Sequence, residues 1–537
     1  MADHPNHPTT VRGIDYKATF PFVHLFKGFR LAIDPSKIFL ALVLLLLVYG
    51  GGRLMDAVWP TKHKAIHNEI GLYTAEPLDF DRARDDLIKT REDRVKAQLT
   101  ALGHPNDPPD FKHHAEALRE KRDARIKAID DQYRNIKSGD PEFVTRQKRE
   151  RDEAERAAHI EYASDIVDAK ALQPEGLFIH FLKYEVDTLN GVAGSAVNFD
   201  VPMVVNGLSR FFFTAPAWAF REHGVFFAIF FAWLLLLWSI FGGALARIAA
   251  VQVARDEKIS VRQSLRFSTG KVLSFVFAPL IPLIIIAVLG LLLAVASILI
   301  SVPGISGVWS IVVGAGFFLA LLAGLVMMLT AVGLIGGGHL MYPTIAAEGS
   351  DSFDAVSRSF SYLYARPWQL GFYALVSLIY GAITYLVVRL ALFILLLLVH
   401  GSVSLLQWDH AADGTPIIDA MWPRPGNFMD LEFETRYAAL GPVQSIGAAL
   451  MACWVYFAIS MLGAYVISLY SSSSTLIYFL LRRDVDATDL DEVYLEPNDE
   501  ELTEAAVTTE ATLSPETPPP AEPAGQPIDI PAPPQNG

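Results

Sequence analysis

One charged side chain stands out in the apolar runs of the sequence, the guanidinium of Arg389. At membrane depth a guanidinium can bind an anionic substrate, pair with a carboxylate, or reach along its helix to the lipid headgroups. Arg389 follows Gln369 by about 20 residues, which corresponds to about 30 Å of helix. We therefore expect it at the outer boundary of its span, reaching the headgroups. An intramembrane polar site for a substrate is the alternative.

Two polar connectors between apolar runs carry the second set of chemically active residues. Each mixes apolar and basic side chains on neighbouring helical turns, which predicts an amphipathic helix on the inner leaflet. The alternative is that the connectors couple the membrane domain to a cytoplasmic partner. Neither contains a P-loop or a GxGxxG motif for a nucleotide. The candidate coupling residues are Asp256, Arg262, Arg266, Asp351, Arg358 and Arg366.

Histidines and acidic residues outside these runs form no recognisable metal or catalytic motif. The chain has no HExxH pattern and no paired cysteines, since Cys453 is its single cysteine. No nucleophile–base pair or carboxylate pair stands out. We therefore expect no catalytic residue, no metal and no cofactor, and a protein that is not an enzyme. The residues weighed for such a role are His104, His113, His114, His159, Asp409, His410 and Asp413.

The composition places these residues in a membrane protein. Hydrophobic residues make up 52% of the 537 residues, and the mean hydropathy is positive. Several apolar runs exceed the roughly 18 residues that a membrane helix needs. The net charge of −14 comes from the C-terminal tail, because residues 484–537 include many acidic and no basic side chains. The rest of the chain is close to neutral, so nucleic acid is not an expected partner.

The order of apolar and polar segments predicts an all-α integral membrane protein with six transmembrane helices. After the first span, the others are about 224–246, 272–300, 308–338, 369–399 and 443–470. The predicted domains are a cytoplasmic N-terminus with an interfacial helix (1–37), the first span (38–59), an extracytoplasmic charged helical domain with interfacial helices (60–223), a five-span membrane domain (224–481) and an acidic, proline-rich, disordered cytoplasmic tail (482–537).

An internal repeat organises the membrane domain. Residues 242–280 align without a gap with residues 337–375. Each copy reads as the end of one span, an amphipathic connector and the start of the next span. A repeat at a fixed offset is an architectural signal that many transport folds share, and it identifies no reaction. The aligned pairs include Gly242 and Gly337, Gly243 and Gly338, Asp256 and Asp351, Phe267 and Tyr362, and Lys271 and Arg366.

The charged insertion predicts helices with coiled-coil-like packing. Apolar residues at near-heptad spacing mark narrow seams in 81–102, 111–137 and 141–170. Asp140 and Pro141 supply an N-cap and a first helical residue for the third of these helices. We expect an antiparallel helical hairpin or a three-helix bundle.

Basic residues near the span ends predict the orientation. They gather in the N-terminal segment, in both connectors and at the exit of the sixth span. These four places share one side only if there are six spans and both termini are cytoplasmic. The insertion 60–223 and the loop 401–440 are then extracytoplasmic.

This chain resembles uncharacterised bacterial multi-pass membrane proteins in three of its segments, ARDEKISVRQSLRF, SDSFDAVSRSFSYLYARPW and STLIYFLLRRDVDATDLDEVYLE. The second is also similar to the connector of the membrane domain that accompanies some glycerophosphodiester phosphodiesterases. The resemblance covers about residues 224–496, and its motifs are structural. It implies a bacterial cytoplasmic (inner) membrane. It implies no phosphodiesterase activity, because the chain contains no visible catalytic domain of that kind.

Two classes of function stay open. The first is a non-enzymatic membrane scaffold or assembly protein with an extracytoplasmic helical interaction domain, which the charged helices and the acidic tail favour. The second is a permease or lipid-handling transport subunit, which the repeat favours. Residues 272–338 and 441–481 contain no Asp, Glu, Lys, Arg or His, which argues against an ion-coupled carrier. The expected partners are membrane lipids and protein partners or a second copy of the chain.

Overall fold

Helices are the only regular elements in the computed structural model, which describes residues 20–75, 78–134, 140–171, 173–301, 306–429, 431 and 433–494. In chain order they are α1 (Gly28–Ala32), α2 (Pro35–Val58), α3 (Glu69–Ala75), α4 (Phe80–Ala101), α5 (Phe111–Arg134), α6 (Pro141–Ala171), α7 (Leu177–Val197), α8 (Val201–Ser209), α9 (Ala215–Leu237), α10 (Gly243–Arg255), α11 (Val261–Gly270), α12 (Val272–Ser301), α13 (Ser306–Ala315), α14 (Phe317–Glu348), α15 (Ser352–Ala365), α16 (Pro367–Ser404), α17 (Ile417–Met421) and α18 (Pro442–Asp486). Short 3₁₀ or π-helical turns are Pro21–Lys27, Thr61–His63, Arg210–Thr214, Trp238–Gly242 and Tyr437–Ala439.

Six helices of the described chain are long and apolar enough to cross a membrane, which confirms the all-α class and the number of predicted spans. Their bounds differ from the prediction in three places. The second span is the end of one continuous helix, Val201–Arg255, which bends at His223. The predicted fourth span is broken at Gly316 into α13 and α14. The sixth continues beyond residue 470 to Asp486.

Local chemistry explains how the first span begins and packs. The Asp34 side chain caps α2 by accepting a hydrogen bond at 2.9 Å from the backbone N–H two residues further on, and Pro35 takes the first helical position. Gly51 then leaves room for another span, because a β-carbon there would lie 2.3 Å from the indole nitrogen of Trp233. The glycine run in α2 therefore permits close packing of the first two spans.

A buried apolar cluster, which we call the hub, closes one end of the bundle. It joins the N-terminal segment to the ends of the second, fourth and sixth spans, to α15 and to the start of α16. The first connector helix, α11, lies at the same end, because Phe267 packs with Met341 and Ile345 of α14. We call this end of the bundle the hub end. The hub consists of Leu25, Ala246, Ala250, Leu340, Ala346, Ala347, Tyr362, Leu363, Leu370, Tyr373 and residues 476–481.

The opposite end, which we call the loop end, carries the charged insertion. α5 and α6 form an antiparallel hairpin, as ion pairs of 2.8 Å between Lys121 and Glu161 and between Arg151 and Asp130 indicate. α4 packs against α5 through a small apolar cluster that includes Leu99. The two ion pairs therefore set the register in which α5 and α6 run side by side.

The insertion contacts the loop between the fifth and sixth spans. Lys170 on α6 lies 3.6 Å from Glu434, and a β-carbon at Gly414 would lie 3.0 Å from the side chain of Arg156. α6 also contacts the turn Tyr437–Ala439. The insertion after the first span and the loop after the fifth span therefore lie at the same end of the bundle.

Candidate functional site

The guanidinium of Arg389 is buried, and all five of its N–H groups donate to oxygen atoms of the protein. Nε donates to the carbonyl of Phe428 at 2.8 Å, and both Nη atoms donate to Oδ1 of Asn190 at 3.1 Å. The other two N–H groups donate to the Tyr385 hydroxyl and to the carbonyl of Met429. The residue is 3% exposed. While these bonds hold, Arg389 has no donor left for another ligand.

Arg389 lies near the middle of the part of α16 that separates the two ends of the bundle. At the hub end, the Tyr380 hydroxyl donates to the carbonyl of Phe26 at 3.1 Å. At the loop end, Nε2 of His400 lies 3.0 Å from Oδ1 of Asp419. At 1.5 Å per residue, Arg389 is about 14 Å from the first of these contacts and about 17 Å from the second.

Burial keeps the guanidinium of Arg389 inside the protein, while its height relative to the membrane boundary stays a prediction. Leu370 and Tyr373, on the first turns of α16, belong to the hub. The turns that follow Gln369 are therefore packed against other elements of the bundle. The partners of Arg389 come from its own helix and from two distant parts of the chain, α7 and the loop after α17, and no pattern in the sequence links these parts.

The second connector contains two of the candidate coupling residues in defined contacts. Asp351 caps α15 by accepting a hydrogen bond from the backbone N–H of Asp354 at 2.9 Å. Arg358 pairs with Glu348, with Nε 3.0 Å from Oε2, and lies 3.8 Å from Asp486. These contacts tie α15 to the end of α14 and to the end of α18.

Glu348, which sequence reasoning missed, is the centre of this network. Its Oε1 accepts a hydrogen bond from the Tyr478 hydroxyl at 2.6 Å and lies 3.4 Å from Nε of Arg482. It also holds Arg358. One carboxylate at the end of the fourth span therefore joins the second connector to the sixth span.

The first connector leaves its candidate residues at the surface. Asp256 ends α10 in the left-handed conformation, with φ of 55°, and is exposed. Arg262 and Arg266 are exposed on α11. Arg366 is exposed at the break between α15 and α16. The structure thus brings Arg358 and Asp351 into fixed contacts and places the other four candidate residues on the surface of the hub end.

The glycines at the end of the fourth span are packing positions. A β-carbon at Gly333 would lie 2.5 Å from the ring of Phe360, and one at Gly337 would lie 3.0 Å from the carbonyl oxygen of Ser359. Gly336 faces Leu363 at 3.0 Å in the same way. These glycines therefore form the flat face on which α15 lies.

A second buried polar group, which sequence reasoning also missed, lies at the loop end around Glu69. This carboxylate accepts a hydrogen bond from the backbone N–H of Ile66 at 2.8 Å and lies 3.1 Å from Nε2 of His223 and 3.4 Å from Arg84. Burial alone would raise the pKa of Glu69, but these partners together hold it below its ordinary value. His223 is the residue at which the continuous helix Val201–Arg255 bends. The cluster therefore fixes a kink and joins α3 and α4 to the membrane domain.

Two histidines of the insertion, His104 and His113, pair with separate acidic residues. His104 lies 3.2 Å from both Asp107 and Glu120, and His113 lies 2.7 Å from Asp110. Among the described residues, no three or more His, Cys, Asp or Glu side chains come together as metal ligands would. Comparison with protein-family models, with curated proteins and with solved structures finds no match to this chain.

Proposed function

We propose that the protein is a non-enzymatic integral membrane scaffold or assembly protein. The observation that carries this proposal is the saturation of Arg389 by protein acceptors. A transport site at mid-membrane needs polar groups that are free to exchange their partners with a substrate. Here the most distinctive polar group at that height holds three parts of the fold together.

We infer that the hub end faces the cytoplasm of a bacterial cell and the loop end faces away from it. The support is the concentration of basic side chains at the hub end, in line with the positive-inside rule. Both termini are then cytoplasmic, and the insertion is extracytoplasmic. The basic residues in question are Lys27, Arg30, Arg255, Lys258, Arg262, Arg266 and Arg366.

The same proposal includes the internal repeat. α12 and α16 begin at positions 95 residues apart, Val272 and Pro367. Each is preceded by one non-helical residue, Lys271 or Arg366, and by a short amphipathic helix. Duplication of one connector-plus-span unit accounts for this correspondence.

Partners would bind at two surfaces of the scaffold. The α5–α6 hairpin presents exposed charged side chains at the loop end, and the first connector presents exposed Arg262 at the hub end. Protein partners or a second copy are the occupants that charged helical surfaces suit, and lipids cover the apolar belt of the spans. Nucleic acid, metal and cofactor have no part in the proposal.

Photo-crosslinking in native membranes tests the hairpin as a partner surface. A photoreactive residue replaces Lys148, exposed on α6, or Leu378, 68% exposed on the apolar surface of α16. We expect a discrete protein adduct at position 148 that Arg149→Glu abolishes, and lipid adducts at position 378. Lipid adducts at both positions, with bound lipid or solute copurifying and no protein partner, would contradict the scaffold proposal.

Transport or lipid handling is the second candidate, and one side chain favours it. Glu185 on α7 is 8% exposed, and its Oε2 is buried without a hydrogen-bond partner. A buried carboxyl of this kind is a typical element of a proton or ion relay. If the protein transports, Glu185→Gln should abolish uptake or lipid movement in whole cells while leaving the yield of folded protein unchanged.

A further inference from the structure

The chain that follows α17 runs back along the fifth span towards its middle. The ring of Trp422 lies 5.2 Å from that of His400, and the ring of Phe428 lies 6.5 Å from that of Phe393. The next residue, Met429, accepts a hydrogen bond from Arg389. As the loop advances from 422 to 429, its partner on α16 moves from 400 to 389. The loop therefore descends along α16 by about 16 Å, from the loop end towards mid-height.

Contacts with the sixth span give the same depth independently. Phe433, just past the tip of the loop, stacks on Tyr456 of α18 with ring centroids 4.8 Å apart, and its carbonyl accepts a hydrogen bond from the Tyr456 hydroxyl at 3.2 Å. Tyr456 lies about 21 Å along the helix from Pro442, where α18 starts at the loop end, and about 18 Å from Ser468. The Ser468 hydroxyl donates at 2.7 Å to the carbonyl of Ala32, just before the first span begins. The tip of the descending loop is thus far below the loop end on this helix as well.

A second segment reaches Arg389 from the same side. The Asp56 carboxylate, at the loop end of α2, accepts hydrogen bonds from the backbone N–H groups of Phe178 at 2.9 Å and Ile179 at 3.1 Å. α7 starts there, and Asn190 lies about 18 Å further along it. The carboxamide of Asn190 and the two loop carbonyls then share one guanidinium.

We propose that residues 422–429 form a re-entrant loop in the outer half of the membrane, and that Arg389 is the positioning residue that holds it there. Backbone carbonyls outside a helix find no water at that depth, and each one left without a donor costs several kcal/mol. The planar guanidinium supplies donors to two such carbonyls and to Asn190 at once. A lysine ammonium has three donors and no planar fork, so it cannot replace this geometry.

Spin-label depth measurements in lipid vesicles test the proposal with the full chain. The native cysteine is removed as Cys453→Ser, and single cysteines are introduced at Asn427, Leu390 or Trp408 for labelling. Asn427 is exposed in the loop, Leu390 is exposed beside Arg389 on α16, and Trp408 is 85% exposed beyond the end of that helix. We expect the label at 427 to lie near the depth of the label at 390. It should be about 15 Å deeper than the label at 408, half the thickness of the hydrocarbon core.

Variants of the positioning residue complete the test. Arg389→Leu should move the label at 427 outward to the depth of the label at 408, and Arg389→Lys should move it part of the way. Tyr385→Phe removes one of the four acceptor atoms and serves as a milder variant that keeps the fold. A label at 427 that lies as shallow as the one at 408 in the wild-type chain overturns the re-entrant loop by itself. A label that stays deep in folded Arg389→Leu overturns the role of the arginine.

Discussion

The two connectors align in sequence but differ in how the fold holds them. α15 packs against α12, α14, α16 and α18, whereas α11 packs mainly against α10, the helix just before it. The aligned residues Phe267 and Tyr362 show the difference at one position. The Tyr362 hydroxyl donates to Asp486 of α18 at 2.5 Å, while the Phe267 ring lies 4.4 Å below the guanidinium of Arg247.

This difference separates a structural role from a binding role. The second connector is locked in place by contacts with neighbouring helices. Tyr362 donates to Asp486 of the sixth span, and Arg358 pairs with Glu348, which in turn accepts a hydrogen bond from Tyr478 of the sixth span. The first connector keeps Arg262 at the surface. If one of the two helices couples to a cytoplasmic partner, the first is the one whose charges are accessible.

The largest effect is expected from Gly337→Leu. A β-carbon at Gly337 would already lie 3.0 Å from the carbonyl oxygen of Ser359, a backbone atom that moves only with α15. Forcing the two helices apart should reduce the free energy of unfolding by about 3 kcal/mol. Thermal unfolding in detergent measures the loss. Gly338→Leu is the matched control, because a β-carbon there would meet only Leu334, at 3.7 Å. Equal losses in both variants would mean that α15 is not docked on this face.

Glu348→Gln should have the next largest effect. The substitution keeps the shape of the side chain but removes the charge that faces Arg358 and Arg482. Both arginines keep other acceptors and Arg358 is partly exposed, so we expect a loss of about 2 kcal/mol, below the cost of breaking a fully buried pair. Asp256→Asn in the first connector is the control, since asparagine tolerates the left-handed conformation and should change stability by less than about 0.5 kcal/mol. A larger loss for Asp256→Asn than for Glu348→Gln would reverse the comparison.

Alkaline pH should loosen the second connector and leave the first in place. Burial, together with the hydrogen bond to Asp486, raises the pKa of Tyr362 above its ordinary value. A group with a raised folded-state pKa contributes stability that is complete below the unfolded-state pKa, about 10 for tyrosine, and is lost as the pH rises above it. The loss is at most about 1.4 kcal/mol per pH unit. Hydrogen exchange at pH 9 and pH 11 would measure this loss as a fall in the protection of α15 relative to α11. In Tyr362→Phe the protection of α15 relative to α11 should be the same at both pH values.

The all-helical class and the six helices long and apolar enough to cross a membrane could be predicted from local patterns, because length and hydropathy report directly on helices. The contacts of Arg389 could not, since Asn190 and Phe428 are far away in sequence and the loop that carries Phe428 has no periodicity. The packing of the first turns of α16 in the hub could not be predicted either, because it depends on tertiary contacts with the N-terminal segment and the other spans.

The roles of Gly337 and Glu348 could not be predicted either, because each depends on what lies across from it. Gly337 is a contact position only because Ser359 of α15 lies against it. Glu348 joins two elements only because the hydroxyl of Tyr478 on the sixth span donates to it. The aligned sequences of the two connectors therefore do not show which connector is held in place, because a third element decides it.

The smallest effect on stability and the most specific effect on binding are expected from Arg262→Glu. The side chain is exposed on α11. The free energy of unfolding should therefore change by no more than about 0.5 kcal/mol, and the melting temperature should shift only slightly. A cytoplasmic partner that recognises the first connector by charge should be lost, because reversing one charge places like charges against each other.

Crosslinking from a photoreactive residue at Gln263 measures that loss, and the control is Arg366→Glu, which reverses an exposed charge at the end of the second connector. Loss of the adduct in both variants would show that the partner reads the net charge of the hub end. Loss in Arg262→Glu alone would show that it binds the unlocked connector.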